Sequence, residues 1–267
     1  MEFQDFIKQS LEGASRIALE GFGKVTGKIK DDDNNQVLTE TDLKISEYLV
    51  GKIKNDYPEH NIIDEEAGII NNNSNYTWVV DPIDGTSNFA NGVITYGVML
   101  GLLKDDKPYS GGVSLPSFNE LYLAEKGKGA FCNGLPIKVA NETRLLSSLV
   151  VYQIDGDIKH PEKTREEAKI LGEVVLNIRN LRVTNSVYDI MLVANGKFGA
   201  CLNQPGKIWD SVAQQIIVEE AGGMYTDFWG KPTDYSGHLK RADENFTFCC
   251  GAPELHKQLQ KIIRSVE

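Results

Sequence analysis

The tightest constraint on how this chain can fold is a nine-residue stretch, WVVDPIDGT, at positions 78–86. Trp78, Val79 and Val80 have the β-branched and aromatic make-up of a strand. The apolar run stops in Asp81 and Asp84, with Pro82 between them, and continues into Gly85 and Thr86. A proline-assisted turn accounts for Pro82 and Gly85, but it does not require two carboxylates. Carboxylates at the end of a buried strand can be held by the core while their oxygens meet solvent. A hard cation needs that arrangement, since Mg²⁺ takes oxygen ligands in octahedral geometry and retains several waters. Gly85 and Thr86 then offer backbone N–H groups at a predicted helix start, which suits phosphate.

Around this stretch, helical and extended patterns alternate. Phe3, Phe6, Ile7, Leu11, Ala14, Ile17 and Ala18 recur at helical spacing and predict an amphipathic helix over residues 2–20. Residues 24–36 read as a polar, turn-rich stretch, with Asp31–Asp33 as solvated loop. A second helix follows, with Thr39 and Thr41 as candidate caps, Ile45, Leu49 and Ile53 on one face, and Pro58 as its stop. Strands are expected at NIIDEEAG, TYGVMLGLL and YSGGVSLP, and a hairpin at ELYLAEKGKGAFCNG. The second half reads as helices at KTREEAKILGEVVLN, SVYDIMLVANG and WDSVAQQIIVEEAGG, strands at FGACL, near 223–228 and near 246–250, and a last helix from Pro253. Periodicity alone therefore supports alternating α and β in stacked layers. The polar stretch at 138–147 is the best candidate seam between two halves.

Composition excludes several classes of function. The 267 residues carry a formal charge of −10, and no basic stripe with interleaved aromatics appears. Nucleic acid and anionic membrane both need clustered Lys and Arg, so neither is an expected partner. The first 22 residues bear early acids and no continuous apolar core, unlike a secretory signal. No stretch approaches the roughly 20 apolar residues of a membrane span. Cys132, Cys201, Cys249 and Cys250 have no C-x-x-C spacing and read as packed thiols of a reducing, cytoplasmic protein. His60, His160, His238 and His256 lie in polar stretches without metal-type spacing and are expected at the solvated surface.

Acids stand at other element boundaries too: Asp42 and Asp210 at helix starts, and Glu65-Glu66 after a strand. An acid at a helix N-terminus contributes about 0.3–1 kcal/mol and needs no further explanation singly. Taken together, DPIDGTSNF (81–89) and WDSVAQQIIVEEAGG (209–223) resemble the paired signature of the inositol monophosphatase family. VLTETD (37–42), IIDEE (62–66) and AEKGKGAFCNG (124–134) stand in order around them, and the resemblance spans about residues 3–265. It implies a Mg²⁺-dependent, lithium-sensitive phosphomonoesterase with a layered αβαβα sandwich, often a homodimer. It implies one domain over 1–267, with an N-terminal lobe of about 1–140 and a C-terminal lobe of about 141–267 that carries Asp210 and the substrate pocket.

The resemblance also implies roles. Asp81 bridges two Mg²⁺ ions. Glu65 and the Ile83 carbonyl complete the ligands of the first, and Asp84 and Asp210 hold the second. A third, weakly held ion lies near Glu65. Thr86 and Asp42 orient the attacking water, and phosphate rests on the Gly85 and Thr86 amides. A phosphate monoester dianion repels nucleophiles, so metal charge on its oxygens and an activated water in line with the leaving group meet its chemistry.

Five positions depart from the inositol-specific pattern. Asn203 stands where a glutamate usually reads ring hydroxyls, and Asn185-Ser186 replaces a small Gly-Ser or Gly-Thr pair. Gln214 and Asp64 stand where glycine is usual. Asn185, Ser186, Asn203 and Lys207 are thus the candidate substrate contacts, and Lys207 suits a second anionic group. Inositol 1-phosphate leads the candidate substrates. Histidinol phosphate, fructose 1,6-bisphosphate, a 3′-phosphonucleotide and NADP follow. A non-catalytic metal-binding regulatory module is the alternative of another class. An EF-hand is excluded by spacing, because D-x-x-D-G-T does not fit a twelve-residue calcium loop.

Overall fold

The computed structural model describes residues 2–30 and 33–266. The first half runs α1 (Phe3–Gly21), β1 (Lys28–Lys30), β2 (Asp33–Leu38), α2 (Glu40–Asp56), β3 (Asn61–Asp64), β4 (Gly68–Ile70), β5 (Tyr76–Asp84) and the short α3 (Thr86–Ala90). It continues through β6 (Gly97–Lys104), β7 (Lys107–Leu115), β8 (Glu120–Glu125), β9 (Gly129–Cys132) and β10 (Leu135–Pro136). The second half is β11 (Leu149–Gln153), α4 (Pro161–Asn177), β12 (Asn180–Arg182), α5 (Val187–Ala194), β13 (Ala200–Asn203) and α6 (Ile208–Glu220). β14 (Met224–Thr226), α7 (His238–Arg241), β15 (Phe248–Gly251) and α8 (Pro253–Val266) complete it.

Eight strands form one sheet in the order β10-β9-β8-β7-β6-β5-β3-β4, and five form another in the order β12-β11-β13-β15-β14. α1 and α2 cover one face of the large sheet. α5 and α6 lie between the sheets, and α4 and α8 cover the far face of the small one. The result is the αβαβα sandwich expected from the resemblance. Side-chain alternation on β5 shows how the layers are fixed. Trp78 and Val80 pack in the cluster under α1 and α2, whereas Val79 packs with Ile208 and Val212 of α6. Each fully buried aliphatic side chain of this kind contributes about 1.5–3 kcal/mol.

Local chemistry sets the element ends. Thr39 caps α2, accepting from the N–H groups of Thr41 and Asp42, and Ile45, Leu49 and Ile53 are fully buried on its inner face. Gly222, at φ +85°, takes the left-handed conformation that ends α6. β5 runs parallel to β3 and antiparallel to β6. Its register with β6 slips between Asp81 and Asp84, where three steps on β5 match two on β6. A central strand tolerates proline only at such a bulge, because proline cannot donate to the ladder. Pro82 sits there.

The structure corrects several expectations. The stretch at 24–36 is not simply turn-rich, since β1 and β2 pair antiparallel within it. Within the Asp31–Asp33 run, positions 31 and 32 lie outside the described residues. β11, from LVVYQ, and β12 were not anticipated. Two histidines are not at the surface. His238 is 7% exposed, with Nε2 2.8 Å from Thr77 Oγ1 and Nδ1 3.0 Å from Asp106 Oδ1. His256 is buried 2.8 Å from Thr226 Oγ1. Polar sequence surroundings do not place these rings, because Nε2 of each meets a threonine hydroxyl far away in sequence, Thr77 for His238 and Thr226 for His256. His60 is partly buried, with Nδ1 accepting from Trp78 Nε1, and His160 is exposed. Cys201, Cys249 and Cys250 are buried free thiols, and Cys132 is partly buried. Among the described residues no helix is long and apolar enough to cross a membrane.

Candidate active site

The bulge at the end of β5 opens into a cavity of about 730 Å³. Glu65, Asp81, Ile83, Asp84, Gly85, Thr86, Asn185, Lys207 and Asp210 line it. Asp42, Ser186 and Asn203 are not in that lining. Asp42 stands behind Thr86, with its Oδ1 3.3 Å from Thr86 Oγ1. Ser186 is buried behind Gly85. Asn203 donates through Nδ2 to Gln153 Oε1 at 2.9 Å.

The acids are delivered by several elements, Asp81 and Asp84 both by β5. Parallel pairing of β3 with β5 sets Asp64 beside Val80, and the Glu65 N–H donates to Val80 O at 3.3 Å, so Glu65 follows Asp81 at the sheet end. Asp42 is the third residue of α2 and reaches back as a capping box, accepting from Thr39 N at 2.9 Å and Thr39 Oγ1 at 2.5 Å. Asp210 holds the same position in α6 and accepts from Lys207 N at 2.6 Å. Asp84 Oδ2 accepts from Val187 N, at the start of α5. Oxygens of Asp81, Asp84 and Asp210 lie within 4.8 Å of one another.

Gly85 makes the turn at φ +82°, ψ +38°. That conformation is strained for residues with a side chain, and a Cβ there would come within 2.9 Å of Ser186 Cβ and 3.2 Å of Thr95 O. Thr86 Oγ1 donates to Ile83 O at 2.7 Å.

The electrostatics point to a missing positive charge. Burial raises the Asp81 carboxyl well above its ordinary range, and Glu65, Asp84 and Asp210 raise it further. Burial and then Asp210 do the same to Asp84, against the lowering effect of the Val187 N–H. Burial pushes Asp210 up to about 6, offset in part by the Lys207 N–H. Burial likewise pushes Asp42 up to about 6, against its Thr39 hydrogen bonds. Asp81 Oδ1 is buried with no hydrogen-bond partner among the described residues. An uncompensated buried charge costs several kcal/mol, and a multivalent cation on these oxygens removes that cost. The donors are all oxygen, which suits Mg²⁺ rather than a softer metal. The residues present fit that ion.

Other parts of the site escaped the sequence. Residues 155–160 form a wall of the cavity with Lys159 and His160, and Asn185 Nδ2 ties that wall in through Ile154 O (3.1 Å) and Asp155 Oδ1 (2.9 Å). Gln153 Nε2 donates to Ser186 O at 2.8 Å and Asp189 Oδ2 at 3.2 Å, and Thr184 N donates to the same Asp189 oxygen at 3.0 Å. Asn88 Nδ2 donates to Thr184 O at 2.8 Å, joining α3 to the same segment. Only the polarity of single residues hinted at this network. Their grouping comes from the layers meeting.

Comparison with known proteins places this geometry in context. The model of the inositol monophosphatase family matches residues 2–266. The fructose-1,6-bisphosphatase/inositol-1-monophosphatase of Aquifex aeolicus is 33% identical over 233 residues, covering 82% of this chain and 86% of that protein. The histidinol-phosphatase of Chlorobaculum parvum is 31% identical, covering 85% of this chain and 86% of its own. The structure of a Thermotoga maritima IMPase superposes with a TM-score of 0.86 at 27% identity, over 100% of this chain and 98% of that one.

Proposed function

Because the chain belongs to the inositol monophosphatase family and is a phosphomonoesterase of that family, we propose that it hydrolyses a small polyol phosphate, with inositol 1-phosphate first among the candidates. Asp81, Asp84 and Asp210, converging within 4.8 Å at the cavity floor, are the observation that carries this proposal. Glu65, Asp81, the Ile83 carbonyl, Asp84 and Asp210 hold Mg²⁺, two or three ions in all. Bound Mg²⁺ supplies positive charge to the phosphoryl oxygens and makes a water more acidic.

The chain's own groups do the rest. Gly85 and Thr86 offer their N–H groups to the phosphate at the start of α3. Thr86 Oγ1, between Ile83 O and Asp42 Oδ1, orients the attacking water, with Asp42 holding Thr86 from behind. Asn185 and Lys207, which line the cavity, form the leaving-group side, and Ser186 and Asn203 back it from behind that lining. The N-terminal lobe, about 1–140, brings most of the metal ligands, and the C-terminal lobe, about 141–267, brings Asp210 and the substrate pocket. Lithium inhibition and a homodimer accompany this function in the proposal.

One observation favours a second reading, an anionic or larger leaving group. Lys159, His160 and Lys207 line the cavity around the acidic floor. Fructose 1,6-bisphosphate, a 3′-phosphonucleotide and NADP fit that lining, histidinol phosphate with its cationic leaving group stays a candidate beside them, and the relatives from Aquifex and Chlorobaculum are named for two of these substrates. Glu65, Asp81, Asp84, Thr86 and Asp210 all stand in the cavity lining, so no feature favours a non-catalytic regulatory module. Phosphate release from these substrates, with and without Mg²⁺, tests the proposal. The highest kcat/KM is expected for inositol 1-phosphate. A flat profile would sink the single-substrate assignment, and no Mg²⁺-dependent release from any of them would sink the reaction.

A further inference from the structure

We propose that Asp64 is a positioning residue for the metal site, locking the Glu65 turn to α2 through Ser46. The proposal rests on Mg²⁺ binding at Glu65 and Asp81, as described above. β3 ends at Asp64, and β4 returns antiparallel with Asp64 opposite Gly68, so Glu65, Glu66 and Ala67 form a three-residue hairpin loop. Gly68, at φ +79°, closes it in the left-handed conformation that such loops use.

The loop is not held by main-chain bonds alone. Asp64 Oδ1 accepts three hydrogen bonds: Ala67 N at 2.6 Å, Glu66 N at 2.9 Å and Ser46 Oγ at 2.7 Å. Asp64 is 1% exposed and Ser46 is 3% exposed, so water does not compete for these bonds. Two of the donors fix the peptides on either side of Glu66. The third comes from α2, one helical turn after Asp42 and on the same face. The Glu65 N–H adds a longer bond, 3.3 Å, to Val80 O. The Asp64 carboxylate therefore helps set the direction in which Glu65 leaves the sheet, and it ties that turn to the helix carrying Asp42. A partner that orients a metal ligand without touching the metal typically changes affinity by about 10–100-fold.

The test compares Mg²⁺ binding by isothermal titration calorimetry in the parent protein, Asp64→Ala, Asp64→Asn and Ser46→Ala, with p-nitrophenyl phosphate turnover alongside. Asp64→Ala should weaken Mg²⁺ binding about tenfold or more. The Mg²⁺ needed for half-maximal turnover should rise in parallel, while KM for the ester at saturating Mg²⁺ stays put. Asp64→Asn keeps an acceptor at Oδ1 and should restore most of the affinity. Unchanged Mg²⁺ binding in folded Asp64→Ala overturns the proposal, as does an Asn variant no better than Ala. If Asp64→Ala does not fold by circular dichroism, Ser46→Ala decides: about threefold weaker Mg²⁺ binding supports the proposal and unchanged binding overturns it. A parent protein that takes up no Mg²⁺ overturns the metal assignment as well, which separates that failure from the failure of Asp64 alone.

Discussion

The main-chain N–H of Val187 donates to Asp84 Oδ2, joining the first turn of α5 to the bulged end of β5 across 103 positions of sequence. This bond makes the second layer of helices part of the carboxylate cluster. It also gives an acceptor to one of the first N–H groups of α5, which lack partners within the helix. Val187→Pro tests the bond selectively. Proline fits the first helical position, and Ser186 already has the extended backbone (φ −158°, ψ 167°) that a following proline requires. The N–H is lost, so the Mg²⁺ requirement should rise about tenfold. Val187→Ala keeps the N–H and trims only packing, so its Mg²⁺ requirement should match the parent's. Equal metal titrations for Pro and Ala would show that the bond has no part in holding Asp84.

Asp84→Asn separates metal binding from folding. Burial and the Asp210 charge raise the Asp84 carboxyl well above its usual range, so the ionised form is costly in the metal-free fold. The neutral amide removes that cost. The metal-free variant should therefore melt higher than the metal-free parent at pH 8, while the Mg²⁺-induced rise in Tm shrinks and turnover falls at least about a hundredfold. Thermal melts with and without Mg²⁺ check the first two and phosphate release the third. Unchanged turnover would remove Asp84 from the metal site.

Gly85→Ala probes the phosphate-binding turn. A side chain at φ +82° is strained, and its Cβ meets Ser186 Cβ at 2.9 Å. The strain costs about 1–3 kcal/mol of stability. Relief requires the turn to move, which carries the Gly85 and Thr86 amides away from the phosphate. We expect KM for the phosphate ester to rise and kcat to fall by a total of about a hundredfold in kcat/KM. A variant that loses stability and keeps kcat/KM would separate the turn from phosphate binding.

The parts of this site written in contiguous residues were legible in the sequence. Asp81, Pro82, Ile83, Asp84, Gly85 and Thr86 sit on one bulge and the turn after it, and Thr39 with Asp42 forms a capping box within four residues. The alternation of α and β was also legible, while the five-layer order came from the resemblance. The cavity wall was not, because residues 155–160 acquire their place only when α4 and α5 pack on the small sheet. Asp189 gave no distinct signal either: it reads as one polar residue in an apolar helix, and its partners Gln153 and Thr184 lie on other segments. LVVYQ has strand composition, and as β11 its Val150, Val151 and Tyr152 are fully buried. His238 and His256 were misplaced because a polar neighbourhood in sequence does not describe a neighbourhood in space.

Glu167 supplies a pH dependence away from the carboxylate cluster. It is 7% exposed on α4, its Oε1 has no hydrogen-bond partner among the described residues, and burial, helped by the Asp155 charge, pushes its carboxyl up to about 7. An acid whose folded-state pKa exceeds its unfolded value favours folding most when it is protonated in both states. Its contribution is fully present below about pH 4.5 and is lost as pH rises toward 7, with no further change above that. The loss is on the order of 3 kcal/mol for a shift of this size. Glu167→Gln holds the neutral form at every pH. The variant should match the parent in urea denaturation near pH 4.5 and exceed it at pH 8, with the gap opening between those values. A gap that is constant across the range would mean that the stabilisation comes from packing and not from the proton.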